Sequence, residues 1–415
     1  MQSELLSLGI DLGTSGVRIA LINNKIELVH TESIDYPNGL EEYKDWEYCC
    51  NFLISSIPEN LKKNIQACSV DGTSGTLIAC NPQGKPIGPA IPYFKNYSNI
   101  KYTSNKIILD LNRKSFTSLG RALHLIEKYG YKILLRHQAD WISSWLTEDW
   151  ESGEESNNIK LGWNQITKSW PKDFYNQPWI KALPKIISSG NILNRINPAK
   201  ANILGLPKNL LVIAGTTDSN AAVIAANPSE EEGISILGST IVLKKFVEKP
   251  LYEEGVTNHL VSGKWLCGGS SNAGGAVLKK FFNPEEINEL SNQINPKLTS
   301  GIKLLPLPFK GERFPINDPN LEPILTPRPI SDALYLHALF EGLAEIEHKG
   351  WEKLISIGIP IPKRIITIGK GAKNIQWQKI REKILGIPTR RSIMPPAMGV
   401  AIIALEAIKR NKEIN

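Results

Sequence analysis

Apolar and polar positions alternate with a period of two at the start of the chain. Leu6, Leu8, Ile10 and Leu12 are separated by Ser7, Gly9 and Asp11, and Val17, Ile19 and Leu21 by Arg18 and Ala20. This predicts a strand, a turn at Gly13-Thr14-Ser15-Gly16 and a second strand. Residues 26–34 read as a third strand after a turn at Asn23-Asn24-Lys25. Residues 45–66 carry a helical period, with Trp46, Cys50, Leu53, Ile54, Ile57 and Leu61 on one face and a break at Pro58. Short strands at 68–70 and 77–80 flank the loop Asp71-Gly-Thr-Ser-Gly-Thr76, and Asn81-Pro-Gln-Gly84 closes a tight turn. Residues 92–118 show no period. Residues 121–150 read as helical, with His137 and Asp140 as surface positions, and 151–190 as a polar surface excursion.

The second half repeats the opening plan. Leu210 to Ala214 is a buried strand, Gly215 to Asp218 a turn and Ser219 to Ala226 an alanine-rich helix. Gly233 to Leu243 is again strand, turn (Gly238-Ser239-Thr240) and strand. Gly268 to Gly275 is a glycine-rich loop before an amphipathic helix bearing Val277, Leu278, Phe281 and Phe282. Arg364 to Asn374 is a strand ending in a glycine loop, and a helix over Ile375 to Leu385 stops at Gly386. A last helix runs from Ala397 to Lys409, with Gly399 near its start. Two such hairpins in a 415-residue chain predict two related lobes, divided as 1–226 and 227–415.

Composition narrows the class. A charged fraction of 21% and an apolar fraction of 41% describe an ordinary globular protein. The net charge of +7 is spread out, without a basic block, so neither a nucleic-acid nor a membrane patch is expected. A mild positive balance suits a polyanion such as ATP. The first apolar run, broken by Glu4, Ser7 and Asp11, does not read as a signal peptide. The apolar runs near 221–226 and 398–405 fall short of the ~18–20 residues of a membrane span. Five cysteines without CxxC spacing read as reduced thiols, and a cytoplasmic location is expected.

The turns carry the candidate chemistry. Glycines in Gly13–Gly16 let backbone N–H groups approach an anion, and Thr14 and Ser15 add hydroxyl donors. A carboxylate beside such a cradle repels phosphate unless a cation lies between, so Asp11 is read as facing Mg²⁺, directly or through water. The same residues also suit an ordinary hairpin turn. Asp71 to Thr76 lies at a strand end, where open α/β sheets bind ligands, and is equally a serine- and threonine-rich turn. Asp218 suits both a helix cap and a rigidly held proton acceptor. No GxxxxGK[ST] occurs, which excludes a P-loop.

Taken together, Asp11-Leu-Gly-Thr14 with Arg18, the 71–76 loop with its Asn-Pro-Gln-Gly turn, Thr217-Asp218, Leu237-Gly-Ser-Thr240, Gly274-Gly275, and Gly369 to Trp377 with Ala397-Met-Gly399 resemble the FGGY carbohydrate kinases. The 71–76 loop looks like the D-ribulokinase type. The resemblance implies an α/β fold of two ribonuclease H-like lobes, of the actin/hexokinase type, around a central ATP and sugar cleft. Phosphate transfer from Mg-ATP to a ketopentose would follow, D-ribulose before D-xylulose. It implies Asp218 as general base and Asp11 as the magnesium residue. Thr14, Ser15, Arg18, Gly238, Ser239, Thr240, Gly274 and Gly275 would contact phosphates, and Gly369, Gly371 and Asn374 the adenosine. Asp11, Asp71, Thr73, Ser74 and Asp218 would meet the sugar. Partners would be the sugar and ATP alone, on a monomer or homodimer.

Two segments depart from the family pattern. Ile91-Pro-Tyr-Phe-Lys-Asn96 stands where many members have an acidic residue or Asn-Asp-x-Arg, and Lys370 replaces the middle of three glycines. The alternatives are an actin-like or chaperone-like ATPase scaffold, or a kinase-like protein without activity.

Overall fold

The computed structural model describes residues 5–95 and 118–414, with side chains as far as 411. Most of the segment without a period, 96–117, therefore lies outside the described residues. The chain forms two compact units. One comprises Met1–Ala225, Leu260–Gly263 and Met394–Asn415, and the other Ala226–His259 and Lys264–Ile393.

In the first unit, β1 (Leu6–Leu12), β2 (Gly16–Asn23) and β3 (Leu28–Asp35) form an antiparallel meander. Helices α1 (Tyr43–Ser56) and α2 (Glu59–Lys62) part at Pro58 and lead to β4 (Ile65–Gly72). Strand β5 (Leu77–Cys80) pairs with β6 (Leu134–His137), which lies between α3 (Leu119–Tyr129) and α4 (Gln138–Thr147). Then come β7 (Ser152–Glu154), α5 (Glu155–Asn158), β8 (Lys185–Ile187), β9 (Ile192–Arg195), α6 (Pro198–Leu204), β10 (Leu211–Thr217) and α7 (Asp218–Ala225). The main sheet has the order β3-β2-β1-β4-β10-β9, with β1, β4 and β10 parallel.

The second unit repeats this order. Its strands are β11 (Glu232–Leu237), β12 (Ile241–Val247), β13 (Val256–Val261), β14 (Lys264–Ser270), β15 (Arg364–Ile368) and β16 (Thr389–Arg391). They lie as β13-β14-β12-β11-β15-β16. Leaving out β9 from the first and β13 from the second, both sheets read third, second, first, fourth, fifth. The helices are α8 (Gly275–Leu278), α9 (Pro284–Ser291), α10 (Asp332–Ser356) and α11 (Ile375–Leu385). Among the described residues, no helix is long and apolar enough to cross a membrane.

Four expectations change. All of β1 is buried, on both its apolar and its small or polar positions. The second face is covered by α12 (Pro396–Ile414), the helix expected in a C-terminal lobe. Ser7 Oγ donates to the Ala401 carbonyl at 2.9 Å. A Cβ on Gly9 would lie 1.8 Å from the Ala397 carbonyl, and one on Gly399 1.9 Å from that of Ala221. Small residues let α12 close on β1 and α7, so Gly399 serves packing and the 227–415 lobe loses its last helix.

The expected helix over 121–150 is interrupted by β6 after Gly130, whose φ is +79°. His137 and Asp140 there are buried, at 0% and 2% exposure. The 151–190 excursion buries Trp170, Phe174 and Trp179 against Leu123 and Ile126 of α3, because its aromatics give an otherwise polar stretch a core. Finally, Gly268 and Gly269 belong to β14, and α8 is a single turn.

Sequence patterning also missed the charged centre of the second core. Arg381 of α11 forks onto Glu347 of α10, Nε to Oε2 at 2.6 Å and Nη2 to Oε1 at 2.8 Å. Ser235 Oγ donates to the same carboxylate, and Arg381 Nη1 donates to Thr367 Oγ1. Both partners are almost fully buried, so removing one strands a charge. Glu347→Ala is expected to lower unfolding free energy by about 3–5 kcal/mol, and replacement of both residues by Met by much less. Urea unfolding checks both; equal losses would refute the pairing.

His137 generates a pH prediction. Burial pushes its pKa down to about 3, whereas the unfolded chain takes up that proton near the ordinary value of about 6.5. Stability is therefore lost as pH falls from about 6.5 toward 3. His137→Gln is expected to remove one proton from the pH slope of unfolding in this window. Urea titrations at several pH values measure it, and an unchanged slope refutes a buried neutral imidazole.

Candidate active site

Three parallel strands of the first unit end in carboxylates. Asp11 on β1 is the register partner of Asp71 on β4, and Asp71 pairs on its other side with Thr216 of β10, two residues before Asp218. The β4–β10 register shifts between Ile213 and Thr216. A Cβ on the intervening Gly215 would lie 2.0 Å from the Val70 carbonyl, so only glycine allows this approach.

The three carboxyls differ in environment. Asp11 is buried and pairs with Arg18, Nη1 to Oδ2 at 3.2 Å. Asp71 is fully buried, and among the described residues no group donates to either of its oxygens. Burial, then the charge of Asp11, pushes its carboxyl well above the ordinary range, and Asp218 adds to this. Asp218 is half-buried and opens α7, its Oδ1 accepting from the Ser219 amide at 2.7 Å. The helix therefore starts on Asp218 itself.

The β1–β2 turn is closed by Gly13 N–H donating to the Gly16 carbonyl at 2.9 Å, with Thr14 and Ser15 exposed. Tyr36 N–H donates to the Ser15 carbonyl. The Tyr36 hydroxyl accepts from Gln138 Nε2 at 3.1 Å, and Gln138 Oε1 accepts from the Thr73 amide and hydroxyl at 3.1 and 2.7 Å. One glutamine thus connects the two loops. Thr73 is buried, with its hydroxyl committed to Gln138 and Thr76. Half-buried Ser74 offers its carbonyl to Lys160, and Arg121 holds the Gly75 carbonyl. Behind β10, the Asn157 side chain donates to the Thr216 carbonyl and is itself held by Glu154. Tyr36, Gln138, Glu154 and Asn157 were not found from sequence, because none sits in a glycine-bearing turn.

In the second unit, the Gly238–Thr240 turn and the Gly274–Gly275 step form one piece. Gly275 N–H donates to the Gly238 carbonyl at 2.8 Å, and Ala276 N–H to that of Ser239 at 3.1 Å. A Cβ on Gly274 would come within 2.7 Å of Thr240 backbone. Ser239 stays exposed. At the end of β15, Gly369 takes φ +95° and Lys370 is exposed. Gly371 lies against Trp377 and Leu237. The Asn374 side chain caps α11 by accepting from Trp377 N–H at 2.9 Å and donates to Ser291 Oγ at 2.7 Å, so its amide orders this loop.

Among the described residues, no three His, Cys, Asp or Glu side chains form a metal cage. Asp11, buried at the end of β1 beside the exposed Thr14–Ser15 turn, fits a magnesium ion carried mainly by phosphates with one carboxylate nearby. All five cysteines are buried and free.

No family model matches the chain. Whole-chain likeness is found in sequence and fold. The chain is 23% identical to a xylulose kinase of Staphylococcus xylosus over 435 residues, covering 96% of this chain and 90% of the relative. Its fold matches that of a ligand-bound xylulose kinase from Lactobacillus acidophilus at a TM-score of 0.79 and 17% identity, covering 99% and 90% of the two chains. It also matches a Plasmodium falciparum glycerol kinase with ADP at 0.80 and 17%, covering 98% and 90%. With a twice-repeated sheet order and glycine-bearing turns at the ends of β1 and β11, these likenesses support the FGGY carbohydrate kinase family.

Proposed function

We propose that the protein transfers the γ-phosphate of Mg-ATP to a primary hydroxyl of a ketopentose. D-xylulose is the first candidate, on the names of its relatives, and D-ribulose the second, on the Asp71 loop. The observation that carries the reading is the division of labour among three adjacent carboxyls. Asp11 is paired with Arg18 and Asp71 is fully buried, which leaves half-buried Asp218 as the group a sugar hydroxyl can reach. Asp218 takes the proton as the hydroxyl attacks phosphorus.

Thr14, Ser15 and Arg18 in the first unit, and Gly238, Ser239, Thr240, Gly274 and Gly275 in the second, are the phosphate contacts of this reading. Gly369 and Gly371 flank the nucleoside, with Asn374 fixing their loop. Ser74 faces the sugar, Asp71 of the same loop is fully buried, and Thr73 holds the loop. Magnesium would be held by Asp11, directly or through water, and would screen phosphate charge when bound. Alignment and charge stabilisation supply most of the acceleration in such transfers, the base a smaller part.

Asp218→Asn is expected to lower kcat by about 10²–10⁴-fold with MgATP affinity within about threefold of wild type. Turnover above a tenth of wild type removes Asp218 as base. Asp11→Ala is expected to raise the magnesium concentration needed for half-maximal rate; an unchanged magnesium dependence refutes its role. ADP release measured with D-xylulose, D-ribulose, L-ribulose, glycerol and no sugar tests the whole reading. Release indifferent to every sugar favours the ATPase scaffold instead.

A further inference from the structure

The phosphate candidates of the second unit are held from a loop outside them. Residues 271–274 join β14 to α8 without regular structure, so their amides need partners other than a ladder. Ser271 N–H donates to the Ile241 carbonyl at 2.9 Å. Asn272 N–H donates instead to Glu312 Oε1 at 2.7 Å. Ala273 N–H donates to Ser271 Oγ at 2.9 Å, and that hydroxyl donates to Glu312 Oε2 at 2.5 Å. Two amides of the loop thus depend on one carboxylate, Asn272 directly and Ala273 through the Ser271 hydroxyl.

Glu312 is itself fixed. It is 5% exposed, and its backbone N–H donates to the Asp318 carbonyl at 2.8 Å while its own carbonyl accepts from Asp318 N–H at 2.9 Å. Phe314, two residues on, is buried where a Cβ on Gly269 of β14 would meet its ring at 2.3 Å. The Asn272 side chain returns a bond to the Gly311 carbonyl at 3.0 Å. The loop ends where the phosphate candidates begin. The Ala273 carbonyl accepts from Ile241 N–H, one residue past Thr240, and Gly274 and Gly275 follow directly. A buried carboxylate is a costly way to hold a loop, because its charge must be met by donors. What it supplies is short, charge-assisted bonds that fix where those donors lie. Such precision serves backbone N–H groups that must meet an anion.

We propose that Glu312 is a positioning residue for the nucleotide phosphates: by holding Ser271 and Asn272 it sets the Gly274–Gly275 step against the Gly238–Thr240 turn. The assignment rests on the kinase reading above, in which that turn meets the phosphates. Glu312 acts through the loop and touches no substrate. Its loss therefore weakens ligands that carry phosphates and leaves the bare nucleoside and the sugar unaffected.

The experiment compares Kd for MgATP, MgADP and adenosine by calorimetry, together with the sugar KM for the sugar that supports turnover. Glu312→Gln keeps the shape and Oε1 but loses the charge, and is expected to weaken MgATP and MgADP about fivefold or more. Adenosine and the sugar are expected to stay within about twofold of wild type. Ser271→Ala removes the hydroxyl and leaves the carboxylate, and is expected to give a smaller loss of the same kind. The double variant is expected to bind MgATP about as Glu312→Gln does, because both changes break one linkage. A parallel loss for adenosine, an unchanged MgATP affinity in Glu312→Gln, or additive losses in the double variant overturns the proposal. Should Glu312→Gln fail to fold in a thermal melt, Ser271→Ala alone decides, through the same split between MgATP and adenosine. Wild-type MgATP binding is measured beforehand. Its absence removes the kinase reading and Glu312 with it, whereas wild-type binding with unaffected variants removes only Glu312.

Discussion

Three carboxyl groups at the ends of three neighbouring strands set the terms for the first unit. Like charges this close, with one fully buried, are stable only if most of the charge is cancelled. Arg18 pairs with Asp11, and burial disfavours the charge of Asp71. The surrounding structure serves this arrangement. Gly215 allows β10 to approach β4, Gln138 ties the two loops through Tyr36 and Thr73, and Asn157 steadies Thr216 beside Asp218. The chemistry assigned to Asp218 depends on its neighbours being unable to compete for the same proton.

The second unit solves a different problem with the same strand order. Its turn and glycine step are joined by backbone hydrogen bonds, so the peptide groups there are fixed to one another through the main chain. That suits an anion bound by N–H groups. The stiffness comes from beneath, where Glu347 and Arg381 lock α10, α11, β11 and β15 through a satisfied buried network.

Much of this was legible in the residues, for physical reasons. Turns that need glycine, and strands of period two, are local properties, so both hairpins and the three aspartates stood out. Partners distant in sequence did not. His137 reads as a surface residue because nothing nearby says that Thr76 and the α3 region will enclose it. Tryptophans in a proline-dotted stretch read as excursion until α3 supplies their partner. The last helix was assigned to the wrong unit because alanine and glycine spacing reveals a capacity for close approach without naming what is approached.

That helix has a consequence for biosynthesis. Ser7 meets its acceptor on Ala401, 394 positions later, and one whole face of β1 stays bare until α12 arrives. On the ribosome, the opening strands emerge early but cannot be sealed until nearly the whole second unit has been translated. The nascent chain must leave that face of Ser7 and Gly9, with Ala20 and Ile22 of β2, uncovered throughout that interval, which opens the first unit to misassembly during synthesis.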